Sequence, residues 1–135
     1  DAEYAANEAG DPADDQAVID ASGTGLFCKP GHGFWASISN PTVVIDGANS
    51  RIVADISQNT YGPQANSPWQ PVKRVDLANL DLSGVTPTYG EGTVTWSSVP
   101  VTLSEEASPF ATYTSLDPED GPKALDPITI TLETE

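Results

Sequence analysis

A single histidine, His32, stands in the segment Pro30-Gly31-His32-Gly33-Phe34-Trp35. Glycines on both sides let the backbone turn sharply and leave the imidazole unobstructed, while Phe34 and Trp35 put flat apolar surface next to it. A neutral imidazole in that setting can donate to, or ligate, a metal or cofactor held against the aromatic wall. As a plain loop residue it would instead hydrogen-bond a nearby carbonyl. Ser-His-Asp or Cys-His chemistry can be assembled on paper from His32, Cys28 and the many acids, but no Gly-x-Ser-x-Gly elbow surrounds any nucleophile, so the chain is not expected to be an enzyme. Oxygen ligands concentrate in Asp117-Pro118-Glu119-Asp120-Gly121 and at Asp14-Asp15, yet neither meets the calcium-loop spacing, and both are expected to be solvated acidic turns. No metal ligand is assigned.

The rest of the composition narrows the partners. The chain has 135 residues, enough for one domain, and carries 20 Asp+Glu against 5 Lys+Arg for a formal charge of −15. Nucleic acid and anionic membrane surfaces are therefore poor partners, since binding to either draws on Lys and Arg. No apolar run reaches the roughly 18 residues needed to span a bilayer, so insertion into a membrane is not expected. There is no Met, and Asp1 opens the chain without a basic-then-apolar leader, which reads as a processed protein or an excised piece. Cys28, the one cysteine, has no partner for an intrachain disulfide.

These residues must be positioned by strands, because helical periodicity is nowhere sustained. Residues 1–17 hold six of the acids and no base, and read as a flexible acidic arm ahead of a single β domain over 18–135. Residues 25–29 form a strand broken by Pro30-Gly31, after which Phe34, Ala36 and Ile38 alternate with Trp35, Ser37 and Ser39 until Asn40-Pro41 ends the pattern. Residues 42–46 and 50–56 flank Gly47-Ala48-Asn49 as a hairpin. Residues 57–71, rich in Pro, Gly and Asn, read as a long loop carrying Trp69, and 72–82 as a strand that starts with Lys73 and Arg74. Residues 92–96 and 99–103 give two further strands, the second with Pro100 marking an edge or a bulge. Ile128, Ile130 and Leu132 face inward from a closing strand. The predicted class is all-β: an antiparallel β-sandwich or partly open barrel with long loops.

At this level the sequence resembles a known family. Gly31-His32-Gly33-Phe34-Trp35-Ala36-Ser37-Ile38-Ser39-Asn40-Pro41-Thr42-Val43-Val44-Ile45-Asp46-Gly47, followed by Ile52-Val53-Ala54-Asp55-Ile56, is similar to the central signature of the HtaA-type domain of actinobacterial haem-uptake proteins. Val99-Pro100-Val101-Thr102-Leu103, Phe110-Ala111-Thr112-Tyr113 and Leu125-Asp126-Pro127-Ile128-Thr129 resemble that family's closing segment, in the same order and spacing. The resemblance covers roughly residues 20–133. It implies a β-rich, secreted, cell-surface or wall-associated module that binds haem or receives it from a haem-carrying protein.

In that family a Tyr phenolate takes the iron, a His in the Gly-His motif hydrogen-bonds the phenolate, and a later Tyr lines the pocket. His32 matches the motif His and Tyr113 the later Tyr, with Phe34 on the adjoining aromatic surface. The family's iron-binding Tyr follows a Trp-Gly and a Ser-Phe that have no counterpart before Gly25, and the surroundings of Tyr4 do not match, so the resemblance assigns no iron ligand here. The acid excess requires Lys29, Arg51, Lys73 or Arg74 to gather near the pocket mouth if two propionates are to be held. Two readings follow: a non-catalytic haem-binding or haem-transfer module, for which His32 and Tyr113 should face one apolar cleft, or an extracellular β module recognising a protein or carbohydrate without haem, for which Trp69 would matter more. Oligomeric state is not set by the sequence.

Overall fold

The computed structural model describes residues 2–5, 15–59 except 30–33, 69–107 and 124–134, with Lys29 and Phe34 described in the backbone. Among the described residues, alternating apolar and polar side chains produce nine strands: β1 Ala2–Ala5, β2 Gln16–Asp20, β3 Thr24–Lys29, β4 Phe34–Asp46, β5 Arg51–Asn59, β6 Lys73–Leu80, β7 Thr88–Gly90, β8 Thr93–Leu103 and β9 Ala124–Glu133. All pair antiparallel in one nine-stranded sheet of order β1-β2-β4-β5-β6-β8-β7, with β3 on β4 and β9 on β8. The sheet curls into a half-barrel. This is the all-β class expected, in its partly open form.

The 13-residue β4 organises one half. Its first part pairs with β3 through Lys29↔Phe34, Phe27↔Ala36 and Gly25↔Ile38, and its second part with β2 through Val18↔Val44 and Gln16↔Asp46. Asn40-Pro41 does not end this strand, as the Pro suggested. The chain passes through a register shift between Ser39 and Thr42, with Asn40 at φ 48°, and continues. The β2–β3 connection bends with it, Ala21 N–H donating to Pro41 O and Asn40 N–H to Gly23 O, so the backbone groups at the bend are satisfied. A 3-10 turn, Gly47–Asn49, joins β4 to β5 in the expected hairpin, closed by Ser50, whose hydroxyl accepts from Asp46 N–H and donates to Gly47 O.

Residues 92–96 and 99–103, expected as two strands, form the single β8. Register shifts between Trp96 and Val99 and between Val99 and Val101 bend it, and Ser98 takes φ 54°. Pro100 therefore sits at a bulge inside the sheet, where its missing N–H breaks no regular ladder. Val94, Trp96, Val99 and Val101 from β8 meet Ile130 and Leu132 from β9, Ala78 and Leu80 from β6, Ile45 from β4 and Ala17 from β2 in the main core.

The arm expected over residues 1–17 needs correction where it is described. Ala2–Ala5 pair with β2 through Tyr4↔Ala17 and Glu3↔Val18, so Tyr4 faces inward and its ring meets Trp96 edge-on at 6.5 Å. Burial of one tyrosine outweighs the polarity of its neighbours, because the alternation leaves Glu3 on the other face. The loop expected over 57–71 also begins later, since Ser57, Gln58 and Asn59 complete β5.

Candidate functional site

The pairing gives the half-barrel two unlike ends. At the Asp46 end lie the β4–β5 turn, the start of β2 and the first half of β8. The opposite, Phe34 end collects the last residue of β3, the first of β4, the last of β5 and the first of β6, through Lys29↔Phe34, Trp35↔Asn59 and Ile56↔Lys73. The C-terminus of β8 and the N-terminus of β9 stop short of it: Leu103 pairs with Ala78 and Ala124 with Thr102, level with Ile52 and Arg51 at the start of β5.

His32 and Tyr113 lie outside the described residues. Topology nevertheless fixes where the chain carrying them departs and returns. His32 falls between Lys29 and Phe34, so the strand ends flanking it are at the Phe34 end, whereas Tyr113 falls between the 3-10 turn Glu105–Ala107 and Ala124, whose partner Thr102 is level with Asn79 and Arg51. Of Phe34 itself the backbone pairing is described.

The concave face at this end is apolar and only partly covered. Alternation puts Gly25, Phe27, Ala36, Ile38 and Ile56 on the same face as the core residues Ile45 and Ala54, yet Phe27, Ile38 and Ile56 belong to neither core cluster. Phe27 is 46% exposed, and its ring folds back over Gly25, where a Cβ would stand 3.3 Å from Phe27 Cε2. Gly25 thus lets an aromatic ring lie flat against the strand. On the convex side Ser57 Oγ donates to Gln70 O at 2.6 Å, so residues following the loop return to the sheet there. Trp35 lies on that side opposite Asn59, and its Nε1–H is buried without a hydrogen-bond partner among the described residues. Trp69 is 45% exposed.

Basic residues follow the same division. Lys29 ends β3 and Lys73 and Arg74 open β6, all at the Phe34 end, whereas Arg51 opens β5 at the other end and pairs with Asp76 at 3.2 Å. Arg74 is committed: it reaches Asp55 at 3.1 Å, Asn40 O at 2.9 Å and Thr42 Oγ1. Those contacts hold Asp55 below the usual carboxylate range, chiefly through the Asn40 amide and then the Arg74 guanidinium.

A second group was not legible in the sequence. Asp15, expected in a solvated turn, is 3% exposed and accepts hydrogen bonds from Tyr4 Oη at 3.3 Å and Tyr89 Oη at 2.5 Å. The three residues tie β1, the start of β2 and β7 together across the Asp46 end. The hydrogen bond to Asp15, then burial, pushes the Tyr89 phenol up to about 12, and burial followed by the Asp15 charge raises Tyr4. Both phenols are therefore held neutral as donors, and neither faces the Phe34 end. A cleft of about 540 Å³ nearby is lined by Leu80, Leu82, Val85, Trp96, Asn79 and Asp81 among others, with no Lys or Arg among the described residues of its wall, so it suits an anionic ligand poorly. Among the described residues no cluster of three or more His, Cys, Asp or Glu could hold a metal ion, and no helix is long and apolar enough to cross a membrane.

Comparison with known proteins agrees with this architecture. No curated protein matches the chain. A solved structure it resembles is a domain-swapped dimer of a histidine-to-alanine variant of the C-terminal domain of HtaA from Corynebacterium glutamicum, with a TM-score of 0.67 and 19% identity over 98% of this chain and 74% of that one. At that identity the likeness establishes the fold, whereas the HtaA (Htaa) family profile matches residues 3–131, nearly the whole chain and including β1. The chain belongs to the HtaA family.

Proposed function

We propose that this chain is a non-catalytic haem-binding module, secreted or held at the cell surface, that takes haem up or passes it to a haem-carrying partner. The observation that carries this reading is the convergence at the Phe34 end. There a partly exposed apolar strip of Phe27, Ile38 and Ile56 lies on the concave face, with basic residues at its margin and with the strand ends that flank His32. Family membership adds the expectation of haem.

The described residues fit such a cargo in two respects. Planar apolar surface is available without disturbing the core, and cationic residues stand at that end of a chain whose formal charge is −15. A porphyrin would be held by burial of its faces, worth about 25 cal/mol per Å² of apolar area removed from water, and by charge-assisted hydrogen bonds to its carboxylates. Tyr4 and Tyr89 are excluded as iron ligands at this end because Asp15 holds both phenols at the other. Within the proposal His32 is the residue that orients or hydrogen-bonds the iron's ligand, and Tyr113 and Phe34 line the cleft.

Mixing the full chain with hemin and recording the Soret and charge-transfer bands tests this directly. Binding should shift both from the free-hemin spectrum. His32→Ala should weaken the complex or alter its bands, and Trp69→Ala should leave them unchanged. An unchanged free-hemin spectrum at saturating protein would overturn the haem reading.

A further inference from the structure

In a chain with 20 acids and 5 bases, a lysine is expected to find a carboxylate. Lys73 does not: it is exposed at the first position of β6, and among the described residues it has no ion pair and no hydrogen bond. The nearby acids are engaged elsewhere. Asp55 is paired with Arg74, Asp76 with Arg51, and Glu106 Oε2 accepts the backbone N–H of Asp76. Glu105 stands in the 3-10 turn that returns against β6.

The position of Lys73 is specific. It pairs with Ile56, which pairs with Ile38, which pairs with Gly25, so the four residues form one row across β6, β5, β4 and β3 on the concave face. Three inter-strand steps of about 4.8 Å make that row roughly 14 Å long. One terminus is Gly25 with the Phe27 ring lying over it, the middle is two isoleucines, and the other terminus is the uncommitted ammonium. A flat apolar body resting on the row would bring an acidic substituent at its edge to Lys73.

We infer that Lys73 is the residue that anchors a carboxylate of the bound tetrapyrrole at the rim of the Phe34 end. The inference rests on the haem reading above and adds to it the orientation of the cargo: ring over Ile38 and Ile56, one propionate toward β6. Arg74, one residue on, cannot substitute, because its guanidinium already holds Asp55, Asn40 and Thr42 and so fixes the β4 bend. Lys73 is a compact charge on a flexible stem, suited to a ligand that enters and leaves.

The test compares hemin with hemin dimethyl ester, whose propionates are capped, in the wild-type chain and in Lys73→Gln and Lys73→Arg. Lys73→Gln should weaken hemin binding about five- to tenfold at low salt, leave ester binding unchanged, and flatten the salt dependence of hemin affinity. Lys73→Arg should restore hemin binding to near the wild-type level. Because Lys73 is exposed and unpaired among the described residues, circular dichroism of the variants should match the wild type. Hemin and ester affinities both unaltered in Lys73→Gln, or both reduced alike, overturn the anchoring role while leaving the haem reading standing. A wild-type chain that binds neither compound overturns the haem reading, and the anchor with it.

Discussion

The two ends of the half-barrel are built from the same alternating strands, but they are finished differently. At the Asp46 end the concave face is filled: Trp96, 1% exposed, is packed among Val94, Ile45 and Ile130, the Tyr4 ring closes over it, and Asp15 clasps Tyr4 and Tyr89. At the Phe34 end the face carries Phe27, half exposed, with half-buried Ile38 and Ile56 beside the buried Ala36, and these side chains belong to neither of the two core clusters among the described residues. One end is closed by packing and the other is the end proposed for the ligand. A sheet of this kind can separate the two tasks because β4, β5 and β6 run through both ends.

The largest effect should come from emptying the closed end. Trp96→Ala removes the largest fully buried side chain and should cost about 3–5 kcal/mol by chemical denaturation, enough to unfold a marginal domain. If the ends are as distinct as described, Phe27→Ala should show the opposite pattern. Its stability should change by no more than about 0.5 kcal/mol, while hemin affinity falls several-fold. Equal losses of stability in the two variants would erase the distinction.

Between these extremes lies the clasp. Asp15→Ala should cost about 1 kcal/mol, because the phenols of half-buried Tyr4 and exposed Tyr89 lose their shared acceptor. The clasp also predicts an alkaline transition. Tyr89 has its folded value raised from 10.0 to about 12, so its contribution is fully present below pH 10 and is lost as pH rises from there through about 12. Phenolate absorbance should show a late-titrating tyrosine that Tyr89→Phe removes and that Asp15→Ala moves back toward 10. The smallest effect is expected at Gly25→Ala. The added Cβ would stand 3.3 Å from the Phe27 ring and 3.9 Å from Ile38 O, so the ring must lift slightly; stability should change by under about 1 kcal/mol and hemin affinity by roughly twofold.

How much of this was legible in the sequence varies with the range of the interaction. The Thr42–Asp46 and Arg51–Ile56 hairpin, the inward set Ile128, Ile130 and Leu132, and the bulge at Pro100 are written in local alternation and turn residues, and the structure carries all three. Asn40-Pro41 misled because proline usually stops a strand, whereas here β2 and β3 bend with β4 and satisfy the freed groups. Tyr4 and Asp15 were hidden by acidic neighbours. Their partners Trp96 and Tyr89 lie far along the chain, and the Tyr89 to Asp15 bond spans 74 residues, beyond any periodicity argument. At the candidate site, His32 and Phe34 were marked by their glycines and aromatics, but Lys73 drew notice only as one base among several. That it is unpaired, and in one row with Ile56, Ile38 and Gly25, depends on register.

Hydrogen exchange of the full chain with and without hemin tests the division most directly, since backbone amides report each strand separately at its two ends. Protection should rise at Gly25 to Lys29, Phe34 to Ile38, Ile56 to Asn59 and Lys73, with Tyr4, Ala17, Val94 and Trp96 unaffected. Protection that appears around Trp96 and Tyr89 and spares the Phe34 end would contradict the assignment of the ligand to the open end.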